Sequence, residues 1–341
     1  MLTVQIKKKI GSFKLDVDFV CDNEILGLLG ASGCGKSMTL RCVAGIQTPD
    51  SGRIVLNDRV LFDSAKKINL PPQQRRVGYL FQQYALFPNM TVAGNIEAGL
   101  HAFPKEERKQ ITADMIRRFH LEGLEDHHPS QLSGGQQQRT ALARIFGGNP
   151  DILLMDEPFS ALDGFLKWQL EPELLDTLES FGKDVLFVSH DRDEVCHFCH
   201  RVCMISNGRT IGKRPVMELM RDPRNYSAAL LSGCRNISAA VIKNEHTLEC
   251  ADWGVTFTLT DPIPADTAFV GMRAAHIVND PTAVNRIDCT VERIIEDQSG
   301  KIAILTTPAG RLIQMLDDGK SGVGAKVSVA IDEKALLLLT A

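Results

Sequence analysis

Two patterns of apolar and polar positions divide the chain. Up to about residue 232, short apolar runs alternate with longer segments of helical composition, the order of an α/β layered domain. From Asn236 onward the period changes to two. Ile302 with Ile304, and Val327 with Val329 and Ile331, are examples, with Gly-rich and Pro-containing breaks between such stretches. The change predicts an α/β domain over 1–232 and a small all-β domain over 233–341. Within the first, Glu24–Leu29, Ile152–Met155 and Val185–Val188 are continuous apolar runs that predict buried strands. Met90–Phe119, rich in Glu, Lys, Arg and small apolar residues, predicts helix, inside a helical subdomain over about 88–150. Buried strands separated by helices imply a mostly parallel sheet with helices on its faces.

Composition narrows the function classes. The chain has 341 residues, 44% of them apolar, enough for one large domain and a smaller one. Its formal net charge of −4 is too near neutral for a protein that lives on nucleic-acid phosphates. No uninterrupted apolar window reaches about 18 residues, so neither a membrane span nor an export segment is expected. The nine cysteines are irregularly spaced, unlike a secreted disulfide framework, and point to reducing cytoplasm.

Three stretches carry chemistry. The strand Glu24–Leu29 enters Gly30, Ala31, Ser32, Gly33, Cys34, Gly35, Lys36 and Ser37, and a helical composition follows. Strand, Gly-rich turn and helix in that order form a phosphate-binding loop, in which consecutive N–H groups converge on an oxyanion and the helix N-terminus adds its dipole. Lys36 reaches the β and γ phosphates as a mobile charge, and the Ser37 hydroxyl suits Mg²⁺. Asp156 and Glu157 emerge at the C-terminal end of the Ile152–Met155 run, where open α/β sheets bind ligands. There Asp156 would orient the Mg²⁺ shell and Glu157 would act as general base on a water. In Leu132-Ser133-Gly134-Gly135-Gln136, Ser133 is a natural helix cap, and the glycines allow a second backbone approach to phosphate. Two such loops on one γ-phosphate suggest completion of the site by another copy.

In these motifs the chain resembles the ATP-binding subunit of an ABC transporter, over roughly residues 1–232. Residues 30–37 match the Walker A loop, Leu132–Gln136 the signature, and Ile152–Glu157 the Walker B strand. Ser160-Ala161-Leu162-Asp163 matches the D-loop, Gln82 the Q-loop glutamine, and His190 the switch histidine. The resemblance implies a P-loop NTPase fold with ATP and Mg²⁺ as cofactors, and a head-to-tail homodimer in which Ser133 and Gly135 act in trans. It gives Gln82 a contact with Mg²⁺ and the water, and His190 a hydrogen bond to the γ-phosphate. It also implies an aromatic stacked on adenine, Phe13 or, as an alternative, Phe19. Two integral-membrane permease subunits, indirectly an extracytoplasmic substrate-binding protein, and a place on the cytoplasmic face of the membrane follow from the same likeness.

Cargo is legible only through wording. Leu61-Phe62-Asp63-Ser64, Ile68–Pro72, Arg75–Tyr79 and Leu86-Phe87-Pro88 are most similar to the molybdate-importer branch, although the sulfate, ferric-iron, polyamine and sugar motors share much of this text. The segment 233–341 is similar in length and strand pattern to the small oligomer-binding-like β domains (TOBE or Mop type) of such motors, which bind an oxyanion or extend the dimer contact. A soluble ABC ATPase without a permease is the alternative class. Cys196, Cys199 and Cys203 fall at i, i+3 and i+7 of an expected helix Glu194–Cys203, the pattern of a packed face rather than a metal site.

Overall fold

The computed structural model describes residues 1–160, 162–297 and 300–341. Ala161, in the middle of the expected D-loop, therefore lies outside the described residues. Two compact units divide the chain, Met1–Val216 and Met217–Ala341.

At the centre of the first unit five strands run parallel, in the spatial order Arg201–Ser206, Ile25–Leu29, Val185–Val188, Ile152–Asp156 and Val77–Leu80. The three apolar runs read from the sequence are immediate neighbours here. Every residue of those three strands is buried, as covering both faces of a parallel sheet requires. Six further strands extend the sheet to eleven on the Arg201–Ser206 side. Among them Leu2–Ile10 and Phe13–Cys21 pair antiparallel; Leu2, Val4 and Ile6 turn into the core while Gln5 and Lys7 face water.

The expected helix over Met90–Phe119 is two helices, Val92–Ala98 and Lys105–Arg118. Pro104 cannot donate into a helical ladder, and the backbone at Gly99 passes so close to Arg144 that a Cβ would lie 2.4 Å from its carbonyl oxygen. A third helix, Gly134–Gly147, completes this region, capped by Ser133. Asn95, fully buried, holds the preceding loop: its Nδ2 donates to the carbonyls of Phe87, Met90 and Thr91, and its Oδ1 accepts from Phe87 N at 2.8 Å.

The second unit holds two five-stranded antiparallel sheets. Asn236–Asn244 lies between Thr247–Cys250 and Phe269–Met272 in one, and Arg286–Asp297 between Lys326–Ile331 and Gly300–Thr306 in the other. Trp253, Phe257, Val270, Ile287 and Ile313 pack in its core. The compact division falls ahead of the change in sequence period because residues 217–235 are tied to the second unit's strands. Tyr226 N donates to Thr340 O at 3.0 Å, the Tyr226 and Phe269 rings lie 4.7 Å apart, and Arg273 donates to Met220 O and, at 3.0 Å, to Ser232 O.

Candidate nucleotide site

Strand Ile25–Leu29 delivers the chain into the loop 30–35, and helix Lys36–Ala44 leaves it. Gly33 and Gly35 have φ of +77° and +109°, the region that glycine enters without a steric cost. Lys36 is only 6% exposed. Its Nζ donates to the carbonyls of Gly30 at 2.6 Å and Ala31 at 3.1 Å, and among the described residues it forms no ion pair. A buried ammonium with two carbonyls and the Cys34 sulfur as its partners is costly, and an anion in the loop would offset that cost. The cradle thus fits a phosphate.

Asp156, 5% exposed, sits where its strand ends. Ser37 Oγ donates to its Oδ1 at 2.7 Å, and Tyr79 Oη donates to its Oδ2 at 2.9 Å. A hydroxyl and a carboxylate at the loop's exit are the hard oxygen donors that Mg²⁺ prefers. Burial first, and then the Asp156 charge, push the Tyr79 phenol well above its usual range, so it stays a donor.

One residue on, Glu157 has φ of +51°, a left-handed conformation that costs about 1 kcal/mol for a residue with a Cβ. The turn aims its carboxylate at two partners. Gln82 Nε2 donates to Oε2 at 3.3 Å, and His190 Nδ1 lies 3.3 Å from the same oxygen. Residues from three separate strand ends, 77–80, 152–156 and 185–188, thereby meet at one carboxylate.

A salt-bridge cluster beside this point was not visible in the sequence. Lys167, in the first turn of helix Gly164–Phe181, pairs with Asp191 and, at 2.7 Å, with Glu194. Glu194 Oε2 accepts from Ser189 Oγ at 2.6 Å, and that hydroxyl accepts from Asp191 N at 2.9 Å. The cluster encloses His190 from both sides in sequence. Burial alone would lower the Lys167 ammonium and raise the Asp191 carboxyl. Their mutual hydrogen bond, with the Glu194 carboxylate on Lys167 and backbone N–H groups on Asp191, reverses both, so Lys167 ends above and Asp191 below its ordinary value. A lysine four residues after Asp163 was the only available signal.

The two aromatic candidates separate. Phe13 is half-buried against the loop, where a Cβ on Gly35 would come within 3.3 Å of its ring, whereas Phe19 is 5% exposed in the apolar core. Ser133 Oγ accepts from Gln136 N at 3.3 Å, and Gln136 Oε1 accepts from Ser133 N at 2.8 Å. Gly135 abuts Leu170, where a Cβ would lie 2.9 Å from its Cδ1. Among the described residues no hydrogen bond joins this helix start to the phosphate loop, so the chain does not bring Ser133 and Gly135 to Lys36 by such a bond. The cysteines do not share a helical face: the helix is Arg192–Phe198, and Cys203 lies in strand Arg201–Ser206. Pro-free though it is, the segment stops there because Ile25 N donates to His200 Nδ1 at 3.0 Å and the chain turns into the sheet. Burial pushes the Cys203 thiol up to about 12. No group of three or more His, Cys, Asp or Glu side chains that could hold a metal ion occurs among the described residues.

Residues 16–160 match the family described as ABC transporter. The molybdenum import ATP-binding protein ModC of Paramagnetospirillum magneticum is 39% identical over 223 residues, 65% of this chain and 61% of that protein. The Fe(3+) ions import ATP-binding protein FbpC of Haemophilus influenzae is 40% identical over 229 residues, 67% of this chain and 65% of that protein. The chain thus spans less than two thirds of the length of these relatives. A solved dimeric ATP-binding cassette in a post-hydrolysis state with ADP and Pi superposes with a TM-score of 0.53 at 28% identity, over 63% of this chain and 99% of that one. The chain has the P-loop ABC ATPase fold, followed by all-β sheets.

Proposed function

We propose that this chain is the ATP-hydrolysing, energy-coupling subunit of an ABC importer, working as a homodimer with two permease subunits on the cytoplasmic face of a membrane. The observation that carries the reading is the convergence of Gln82 and His190 on Glu157, one residue after the Asp156 that Ser37 bonds, with Lys36 buried and in no ion pair among the described residues. In this reading the loop 30–35 wraps the phosphates with backbone N–H groups, and Lys36 leaves its carbonyl partners for the β and γ oxygens. Phe13 stacks on adenine. Ser37, Asp156 and Gln82 hold Mg²⁺, which when bound neutralises charge developing on the phosphates. Oε2 of Glu157 is held by Gln82 and His190, which leaves Oε1 to accept the proton as a water oxygen bonds to the γ-phosphorus. The bond to the bridging oxygen then breaks and ADP leaves. Ser133 and Gly135 of a second copy close over the same γ-phosphate, which couples hydrolysis to opening and closing of the pair.

Among the described residues no helix is long and apolar enough to cross a membrane, so movement has to be passed to separate subunits. A groove of about 970 Å³, lined in part by Ile46, Phe81, Phe87, His101 and Phe103, suits an inserted permease helix. Residues 1–232 would serve as the motor, with a helical subdomain over about 88–150, and 233–341 as an accessory domain. For cargo we favour molybdate, following the wording around residues 61–88 and the name of one relative. Relatives named for ferric iron, spermidine and putrescine, or sulfate and thiosulfate keep those cargoes as alternatives. Arg273, the basic residue of the Gly271-Met272-Arg273 stretch, is occupied by Met220 and Ser232, which argues against its serving an oxyanion. The deciding experiment on the motor is Glu157→Gln. ATP binding should persist while phosphate release falls by about 10²- to 10³-fold; unchanged turnover would remove Glu157 from its role.

A further inference from the structure

Tyr79 ends the Arg75–Tyr79 stretch and belongs to none of the phosphate or metal motifs, yet its hydroxyl is bonded to the carboxylate those motifs place at the metal. Its strand, Val77–Leu80, runs parallel to Ile152–Asp156, with Tyr79 opposite Leu154 and Leu80 opposite Met155. That register carries the phenol past the strand end to Asp156 Oδ2, at 2.9 Å. The other oxygen of the same carboxylate is taken by Ser37 Oγ at 2.7 Å. The carboxylate is therefore pinned at both oxygens by donors from two different elements, and its plane cannot rotate without losing one of them. The tyrosine ring is itself fixed: it is 9% exposed and packs on Phe81, with ring centroids 4.3 Å apart. Three residues further along the same strand and turn comes Gln82, bonded to Glu157.

We propose that Tyr79 is a positioning residue for the metal: its hydroxyl fixes the orientation of Asp156 so that Oδ1 and Ser37 Oγ present one prepared edge to Mg²⁺. A ligating carboxylate that must stop rotating on binding pays an ordering cost; one held in advance by a neutral donor does not, and the donor also limits the oxygens that can approach the cation. Tyrosine suits the task because its hydroxyl sits at the end of a rigid ring that is already buried. Phenylalanine at 79 keeps the ring and removes the hydroxyl's interactions with Asp156 and Arg41.

The inference rests on the ATPase reading, and the test separates the two. In the full chain carrying Glu157→Gln, Mn²⁺ replaces Mg²⁺, and its electron paramagnetic resonance signal reports metal affinity with ATP bound. Adding Tyr79→Phe should weaken Mn²⁺ binding about tenfold, while ATP affinity in EDTA stays unchanged. Adding Asp156→Asn instead should weaken Mn²⁺ further. If Asp156→Asn weakens Mn²⁺ and Tyr79→Phe does not, the positioning role is overturned and the ATPase site stands. If neither substitution alters Mn²⁺ binding, the metal does not sit at Asp156, and both readings fall. Should Tyr79→Phe fail to fold, tyrosine labelled with ¹³C at the ring Cζ gives an independent readout, because the chain has three tyrosines. With Tyr84 and Tyr226 assigned by substitution, the remaining resonance should move when Mg²⁺ joins ATP. A resonance that stays put overturns the proposal.

Discussion

Buried polar groups are treated in opposite ways in the two compact units. In the second, two buried asparagines are closed on backbone: Asn236 exchanges two hydrogen bonds with Gln314, at 2.7 and 2.8 Å, and Asn285 exchanges two with Thr258 at the same distances. Arg273 is likewise spent on carbonyls and a serine hydroxyl. These are joints between strands. In the first unit, Ser37 meets Asp156, and Gln82 and His190 meet Glu157, at neighbouring strand ends, next to Lys36, a buried cation that forms no ion pair among the described residues. Polar groups closed on backbone build a fold; polar groups that meet each other at a strand end await a ligand. Asn95 shows that the first unit uses joints as well.

Substitutions on either side of this contrast should behave differently. Lys36→Ala should have the largest effect, lowering ATP turnover by about 10³-fold with little change in thermal unfolding; phosphate-release kinetics and calorimetry check both halves. Arg273→Ala should do the reverse. It should lower stability by about 2 kcal/mol, from lost charge-assisted bonds, in denaturant unfolding followed by the buried Trp253, and leave turnover intact. A loss of turnover there would mean that the second unit takes part in the chemistry. Phe13→Ala should raise the KM for ATP about fivefold, the loss of about 1 kcal/mol of stacking, with kcat retained.

The smallest effect concerns pH. Asp191 has a lowered folded-state pKa, so its contribution to stability is present above the unfolded value near 4 and is lost as pH falls through the lower folded value. Lys167 is raised, so its share is present below the unfolded value near 10.4 and is lost as pH rises through the higher folded value. Lys167→Met should flatten the stability profile below about pH 4 by a few tenths of a kcal/mol, given the exposure of Asp191. Urea midpoints measured between pH 3 and 5 resolve this.

Much of this site is legible in the sequence because phosphate chemistry tolerates few alternatives. A loop of glycines that must adopt positive φ, a lysine at its exit, and acids after an apolar run leave little freedom. The three central strands are equally plain, since a strand buried on both faces must be apolar throughout. The antiparallel flank formed by Leu2–Ile10 and Phe13–Cys21 is harder to see, because its alternation is interrupted by lysines and its outer neighbours, Ser51–Leu56 and Arg209–Pro215, lie far along the chain. Tyr79 and Lys167 are invisible for a different reason. Each works through contacts with residues far along the chain, Tyr79 with Asp156 and Lys167 with Asp191 and Glu194, and no local pattern records such pairings. The division at Val216 escapes because residues 217–235 keep helical composition while packing on strands of the second unit.

The proposal that one catalytic centre draws Lys36 and Glu157 from one chain and Ser133 from another can be tested by complementation. Lys36→Ala and Ser133→Arg chains should each be inactive alone. Mixed in equal amounts they should regain turnover, up to about a quarter of the wild-type rate for random pairing, because a mixed pair holds one intact centre. Full turnover by Ser133→Arg alone, or a mixture as inactive as its components, would contradict a centre shared between two chains.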